Sequence, residues 1–178
     1  MEERYRAVHR ALEAVPLTPD AGDPVEKPLR IRRAYADPVP PPPEPEGDVL
    51  YYHLEPGTGP GWTEESRRED GGPAFFRFAA WRLILVFYGP RAAELAERFA
   101  AMLFLDGRGR PRGILRAAGI YVLPGPRGPM LSWEEWQVRH RPRVDLELEL
   151  RIRSRVEAPP LDPELAEVPP EIRPELCP

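Results

Sequence analysis

Ala74-Phe-Phe-Arg-Phe-Ala-Ala-Trp-Arg-Leu-Ile-Leu-Val-Phe-Tyr88 is the strongest apolar segment of the chain. Its odd positions carry Phe75, Trp81, Leu83, Leu85 and Phe87, and its even positions carry Phe76, Phe78, Ile84, Val86 and Tyr88. An extended strand sends alternate side chains to opposite faces, so both faces of this strand are apolar and both need cover. The strand ends at Gly89-Pro90, and Pro90 stands where a helix can begin. Residues 91–105 read as that helix, with Leu95, Phe99, Met102 and Leu103 on one stripe.

A second strand reads as clearly further on. Val144, Leu146, Leu148, Leu150 and Ile152 point one way, while Asp145, Glu147, Glu149, Arg151 and Arg153 point the other. Strict alternation of this kind predicts one buried and one solvated face. Shorter strands are expected over 49–55 and 120–123, with an extended piece over 29–35. Residues 1–15 form a helix in this reading, because Tyr5, Val8, Leu12 and Val15 recur on one face. Residues 114–118 look like a last helical turn closed by Gly119, a residue suited to the left-handed position after a helix. Residues 56–73 contain five glycines and read as a loop, mobile over Gly57-Thr-Gly-Pro-Gly61.

These elements sum to an α+β domain over residues 1–156, an antiparallel or mixed sheet with two helices packed on one face. The helices can cover only one side of the 74–88 strand. Phe76, Phe78, Ile84 and Val86 on the other side are therefore the candidate subunit interface, and the chain is expected to be oligomeric.

Composition narrows the class. The chain has 178 residues, a net charge of −4 and 42% hydrophobic content, enough for one core. Its single Cys excludes a disulfide framework, and no apolar run is long enough for a membrane helix. Basic residues number 25, of which only Lys27 is Lys, and Asn is absent. A GC-rich genome or a hot habitat accounts for that skew without reference to function. Proline is concentrated: ten fall in residues 16–48, ending in Pro40-Pro-Pro-Pro43-Glu-Pro45, and seven in 157–178. The first group reads as a stiff loop insertion with a polyproline II run over 38–45. The second is a Pro/Glu-rich tail with six acids and one Arg, a charge of −5, and reads as disordered.

Catalytic constellations are weak. His9, His53 and His140 lie in separate elements with no ligand-spaced partner, and Cys177 stands alone near the end. Glu134 and Glu135, between Trp133 and Trp136, face opposite ways on a strand. Gly57-Thr-Gly-Pro-Gly61 lacks the Gly-Lys-Ser/Thr of a phosphate loop. The expectation is a non-enzymatic protein with no metal or cofactor. Arg108, Arg110 and Arg112 in Gly107-Arg-Gly-Arg-Pro-Arg-Gly113 are the candidates for contact with a DNA backbone, and their Arg-Gly-Arg-Pro core resembles the AT-hook that lies flat in a minor groove.

The order of segments resembles the neck or tail terminator (head–tail joining) family of tailed phages. The resemblance is carried by Val86-Phe-Tyr-Gly-Pro90 running into Arg91-Ala-Ala-Glu-Leu-Ala-Glu-Arg98, by Ile114-Leu-Arg-Ala-Ala-Gly-Ile120, and by Trp133-Glu-Glu-Trp136 before Val144-Asp-Leu-Glu-Leu148. Where the family commonly has Arg after Trp-Glu-Glu, this chain has Trp136. It implies a structural virion protein of a phage or prophage, assembled in the bacterial cytoplasm. Such proteins form rings, usually hexamers, that cap the tail tube and meet the head connector, with DNA passing non-specifically through the lumen and no membrane contact. The competing expectations are a monomeric cytosolic module that captures peptides on an exposed sheet edge, and a small enzyme with a deep polar pocket.

Overall fold

The computed structural model describes residues 1–15, 29–34, 47–67, 73–105, 107–123, 128–136 and 139–156. The polyproline run and the acidic tail lie outside these residues. The fold is α+β: three helices and a mixed, open sheet of seven strands. In chain order the elements are α1 (Glu2–Glu13), β1 (Arg30–Arg33), β2 (Val49–Pro56), β3 (Trp62–Arg67), β4 (Pro73–Tyr88), α2 (Ala92–Met102), α3 (Pro111–Ala117), β5 (Ile120–Val122), β6 (Met130–Trp136) and β7 (Arg139–Val156). The sheet order is β1-β2-β4-β7-β5, with β3 also on β4 and β6 also on β7.

The two strands most legible in the sequence form the centre. β4 and β7 pair antiparallel along almost their whole length, from Phe75 opposite Val156 to Tyr88 opposite Arg143. This register puts Leu83 opposite Leu148, Leu85 opposite Leu146 and Phe87 opposite Val144. β2 extends the same layer, with Leu50, Tyr52 and Leu54 opposite Phe87, Leu85 and Leu83. The helices close over this layer with Val8 and Leu12 of α1, Leu95 and Phe99 of α2, and Leu115 of α3, all buried. Phe87 and Phe99 meet edge to face at a centroid distance of 5.3 Å, a geometry that aromatic quadrupoles favour.

Three local devices fix the joints. Gly89 has φ +116°, and a Cβ there would stand 2.5 Å from Asp48 Oδ1. The space is taken because buried Asp48 accepts the Arg91 backbone N–H at 3.1 Å and its Nε–H at 2.8 Å. The carboxylate thus satisfies a donor at the start of α2 and pairs with the guanidinium. At the opposite end of the domain, β1 stops at Arg33, and among the described residues no strand pairs with the edge of β2 beyond it. The Tyr5 hydroxyl takes over there, donating to Leu54 O at 3.1 Å and accepting from Leu54 N–H at 3.3 Å. Gly119 has φ +72° after α3, as the sequence predicted.

Three expectations are corrected: the number of helices, the start of the third, and the loop over 56–73. The described residues hold three helices, because the segment expected to be only a last turn is α3 and begins at Pro111 rather than residue 114. Pro at the first helical position has no N–H to lose and its φ suits the helix, so Pro111 starts the helix within a stretch read as loop. The loop over 56–73 contains β3, paired with β4 through Trp62 opposite Phe78 and Glu64 opposite Phe76. β2 and β3 thus form one interrupted partner strand along β4, and 57–61 is the bulge between them. The mixed character expected of the sheet comes from β1 and β2, which pair in parallel, Arg30 opposite Val49. Residues 34–48, with the proline run, supply the long connection that parallel neighbours need.

Candidate functional site

The sheet has a helix-covered face and an open face. β4 presents Phe76, Phe78, Ala80, Arg82, Ile84, Val86 and Tyr88 to the open face. The register places the odd residues of β7, Arg143 to Arg155, beside them. The apolar second face of one strand and the solvated face of the other, read separately in the sequence, are therefore the same surface. Phe76, Phe78, Ile84 and Val86 are all half-buried, covered in part by the stems and rings of their neighbours.

The cover is uneven along β4. At one end Trp62 stacks on Phe78, with centroids 5.1 Å apart and planes 11° from parallel. The Arg151 guanidinium lies 5.1 Å from the Trp62 ring centre and donates to Pro60 O at 3.2 Å. The Arg153 guanidinium lies 4.7 Å from the Phe76 ring centre, and Tyr121 of β5 approaches Phe78 at 6.3 Å. These are cation–π and stacking geometries. The glycine-rich bulge makes them possible. A Cβ on Gly59 would stand 3.1 Å from Ala80 Cβ and 3.2 Å from an Arg151 guanidinium nitrogen, and one on Gly61 would stand 2.9 Å from Phe78 O. The glycines serve close packing of the bulge on the open face.

At the other end of β4, Ile84 sits between His53 and Glu147, and Val86 between Tyr51 and Asp145. Charges here are paired within the face: Arg82 with Glu55, Arg82 with Glu147 at 3.9 Å, and Arg143 with Asp145 at 2.7 Å. Tyr51 and Tyr88 meet edge to face at 6.0 Å. Ile84 and Val86 thus form an apolar island within a frame of neutralised charge.

The arginine segment lies in the helix layer. Gly107 and Gly109 have positive φ, and Arg110 N–H donates to Gly107 O at 3.1 Å. The chain turns tightly and enters α3 at Pro111, so the flat, extended backbone of an AT-hook is not formed. Arg108 and Arg110 are exposed, whereas Arg112 is half-buried on α3. Gly113 packs against Gly107 O so closely that a side chain there would collide with it. The glycines and the proline of this segment thus serve a turn and a helix start.

A shallow groove of about 700 Å³ runs beside α1, lined by Glu2, Tyr5, Arg6, His9, Arg33 and Tyr52, among others. Arg33 lies 3.5 Å from the Tyr5 ring centre and pairs with Glu2 at 2.9 Å. Burial pushes the Tyr52 hydroxyl up to about 12, against the lowering effect of nearby Arg33. His9 stands beside Tyr52 and pairs with Glu13, while His53 Nδ1 is 3.2 Å from the Tyr5 hydroxyl. Among the described residues no three His, Cys, Asp or Glu side chains gather as metal ligands, and no helix is long and apolar enough to cross a membrane. The side chains of Trp133, Glu134, Glu135, Trp136 and His140 lie outside the described atoms, although Trp133 to Trp136 belong to β6.

Sequence reading missed Trp62, Arg151, Arg153 and Arg155 as one surface. Part of the signal was present, since the outward positions of β7 run Asp, Glu, Glu, Arg, Arg, Arg from 145 to 155. The pairing that brings Trp62 to them had no sequence mark. No family model matches the chain, and no curated protein matches it either.

Proposed function

We propose that this chain is a structural protein of a tailed phage or prophage, a ring-forming terminator that caps the tail tube and joins it to the head connector. The observation that supports this reading best is the apolar island of Ile84 and Val86. It stands half-exposed in the middle of a strand whose other face is the domain core. Apolar surface framed by paired charges is the usual composition of a subunit contact, with a hydrophobic centre and a polar rim. Neighbouring subunits meet there, with Phe76 and Phe78 flanking the contact. The ring is six-membered in the family that the chain resembles. Arg108 and Arg110 project from the helix layer, away from this contact, and face the DNA path.

Size-exclusion chromatography with light scattering, followed by negative-stain imaging, tests the reading. The expected result is a ring-shaped particle whose mass is a multiple of the 20.3 kDa chain, lost in Ile84→Asp/Val86→Asp. A monomer at every concentration, and no ring on added tail tubes, would overturn it. The arginine turn has its own test: at low ionic strength the wild type binds duplex DNA with a salt slope that Arg108→Ala/Arg110→Ala/Arg112→Ala reduces. Absence of salt-dependent binding would remove DNA contact from the proposal.

A second reading has one observation in its favour. Among the described residues β6 pairs only with β7, so its outer edge offers backbone donors and acceptors to an added strand. A monomer that captures an extended peptide along Met130–Trp136 would support this module over the ring.

A further inference from the structure

The two ends of the open face differ in charge. Toward residue 145 of β7, Asp145 and Glu147 are paired with Arg143 and Arg82. Toward residue 155, Arg151, Arg153 and Arg155 follow one another on the same face, and none meets a carboxylate among the described residues. Arg151 and Arg153 instead lie over the rings of Trp62 and Phe76. Two acids border this end: Glu149, next to Arg151 on the same face of β7, and Glu64, two strands away from Arg155 across Phe76. Trp62 is 46% exposed, and Phe76, Phe78 and Tyr121 are half-buried around it. The result is a net-basic strip, three arginines to two acids among the described side chains, interleaved with aromatic rings.

The chain itself supplies the matching chemistry. β7 ends at Val156, at this very end of the face, and residues 157–178 follow, with a charge of −5 and seven prolines. Prolines pack on aromatic rings with little entropy to lose, and Glu or Asp side chains suit exposed guanidinium groups. Reach is no obstacle. Arg151 lies five positions back along β7, about 17 Å at a strand's rise, whereas an extended Pro-rich segment covers that span in about six residues.

We propose that the tail folds back on its own chain and docks across the basic end of the open face. The stretch Pro159-Pro-Leu-Asp-Pro-Glu-Leu-Ala-Glu167 lies on Trp62, Phe76 and Phe78, with its acids on Arg151, Arg153 and Arg155. Docking leaves Ile84 and Val86 to the subunit contact. The inference does not depend on the ring reading, since it concerns contact within one chain.

The test uses the full-length chain carrying Cys177→Ser and Ala166→Cys, with a nitroxide on the new thiol. At low salt the Trp62 indole N–H signal and the Arg151 and Arg153 amide signals should lose most of their intensity, and reduction of the nitroxide should restore it. About 1 M salt, where the screening length falls to about 3 Å, should also restore it. Arg151→Glu/Arg153→Glu/Arg155→Glu should do the same from the face, and Asp162→Asn/Glu164→Gln/Glu167→Gln from the tail. No attenuation at these signals, or attenuation centred on Ile84 and Val86, would overturn the proposal. So would attenuation seen only between isotope-labelled and spin-labelled chains in a mixture, which would give the strip to a neighbour's tail. A short single-stranded oligonucleotide that shifts these signals equally in the wild type and the tail-neutralised variant would assign the strip to nucleic acid instead.

Discussion

The two faces of the sheet are built from the same strands and are covered differently. On the helix side, Leu83, Leu85 and Phe87 are fully buried. On the open side, their immediate neighbours Ile84 and Val86 are apolar yet half-exposed. β4 alternates between them residue by residue, so propensity and position in the chain are held nearly constant. Cover alone differs. The first face is apolar because the domain cannot fold otherwise. The second is apolar beyond what folding of the single chain asks for, a surplus of the kind that marks interaction surfaces.

Truncation is the strongest way to break the comparison. Phe87→Ala should cost about 3–5 kcal/mol of stability in urea denaturation, because it removes a buried ring and leaves a cavity. Ile84→Ala, one face over, should cost about 1 kcal/mol or less in the dissociated chain. Equal losses would mean that the open face belongs to the core. Next in size is Asp48→Ala, with an expected loss of about 2–4 kcal/mol, because it strips a buried carboxylate from the Arg91 backbone and guanidinium donors. The loss should appear as unfolding of α2 first, read by amide exchange.

Tyr5→Phe comes third, at about 1–2 kcal/mol. It leaves the Leu54 N–H and C=O at the edge of β2 without their hydroxyl partner. The smallest effect is a pH dependence on the helix-covered side. Tyr52 stays neutral in the folded chain to about pH 12, raised by its burial, whereas an unfolded tyrosine titrates near pH 10. Its contribution is complete below pH 10 and is lost as pH rises to 12, since only the unfolded chain releases the proton in that window. Thermal melts across that range should show a slope that Tyr52→Phe flattens.

How much of this was legible follows from period and pairing. The 144–152 strand was read from its alternation and the 74–88 strand from an apolar run on both faces, which also exposed the surplus of apolar side chains on Phe76, Phe78, Ile84 and Val86. Gly89 and Gly119 marked true chain reversals, because positive φ is costly for any residue with a Cβ. What failed was non-local. Trp62–Arg67 looks like loop in sequence, because glycines dominate its flanks and its strand character comes from pairing with β4. Pro111 looks like a loop residue until the helix that it starts is seen. The basic strip of Arg151, Arg153 and Arg155 was visible as a charge order, but its aromatic partners come from a strand far away in the chain. The buried role of Asp48 had no local mark at all.

The ring reading rests on the open face acting as a subunit contact, and the most direct measurement of that is absolute mass in solution. Light scattering on the full-length chain, over a wide range of concentration, should give a discrete multiple of 20.3 kDa. Ile84→Asp/Val86→Asp should return the single-chain mass with the far-ultraviolet spectrum unchanged. If the double variant keeps the mass of the wild-type assembly, the open face is not the contact and the account is wrong.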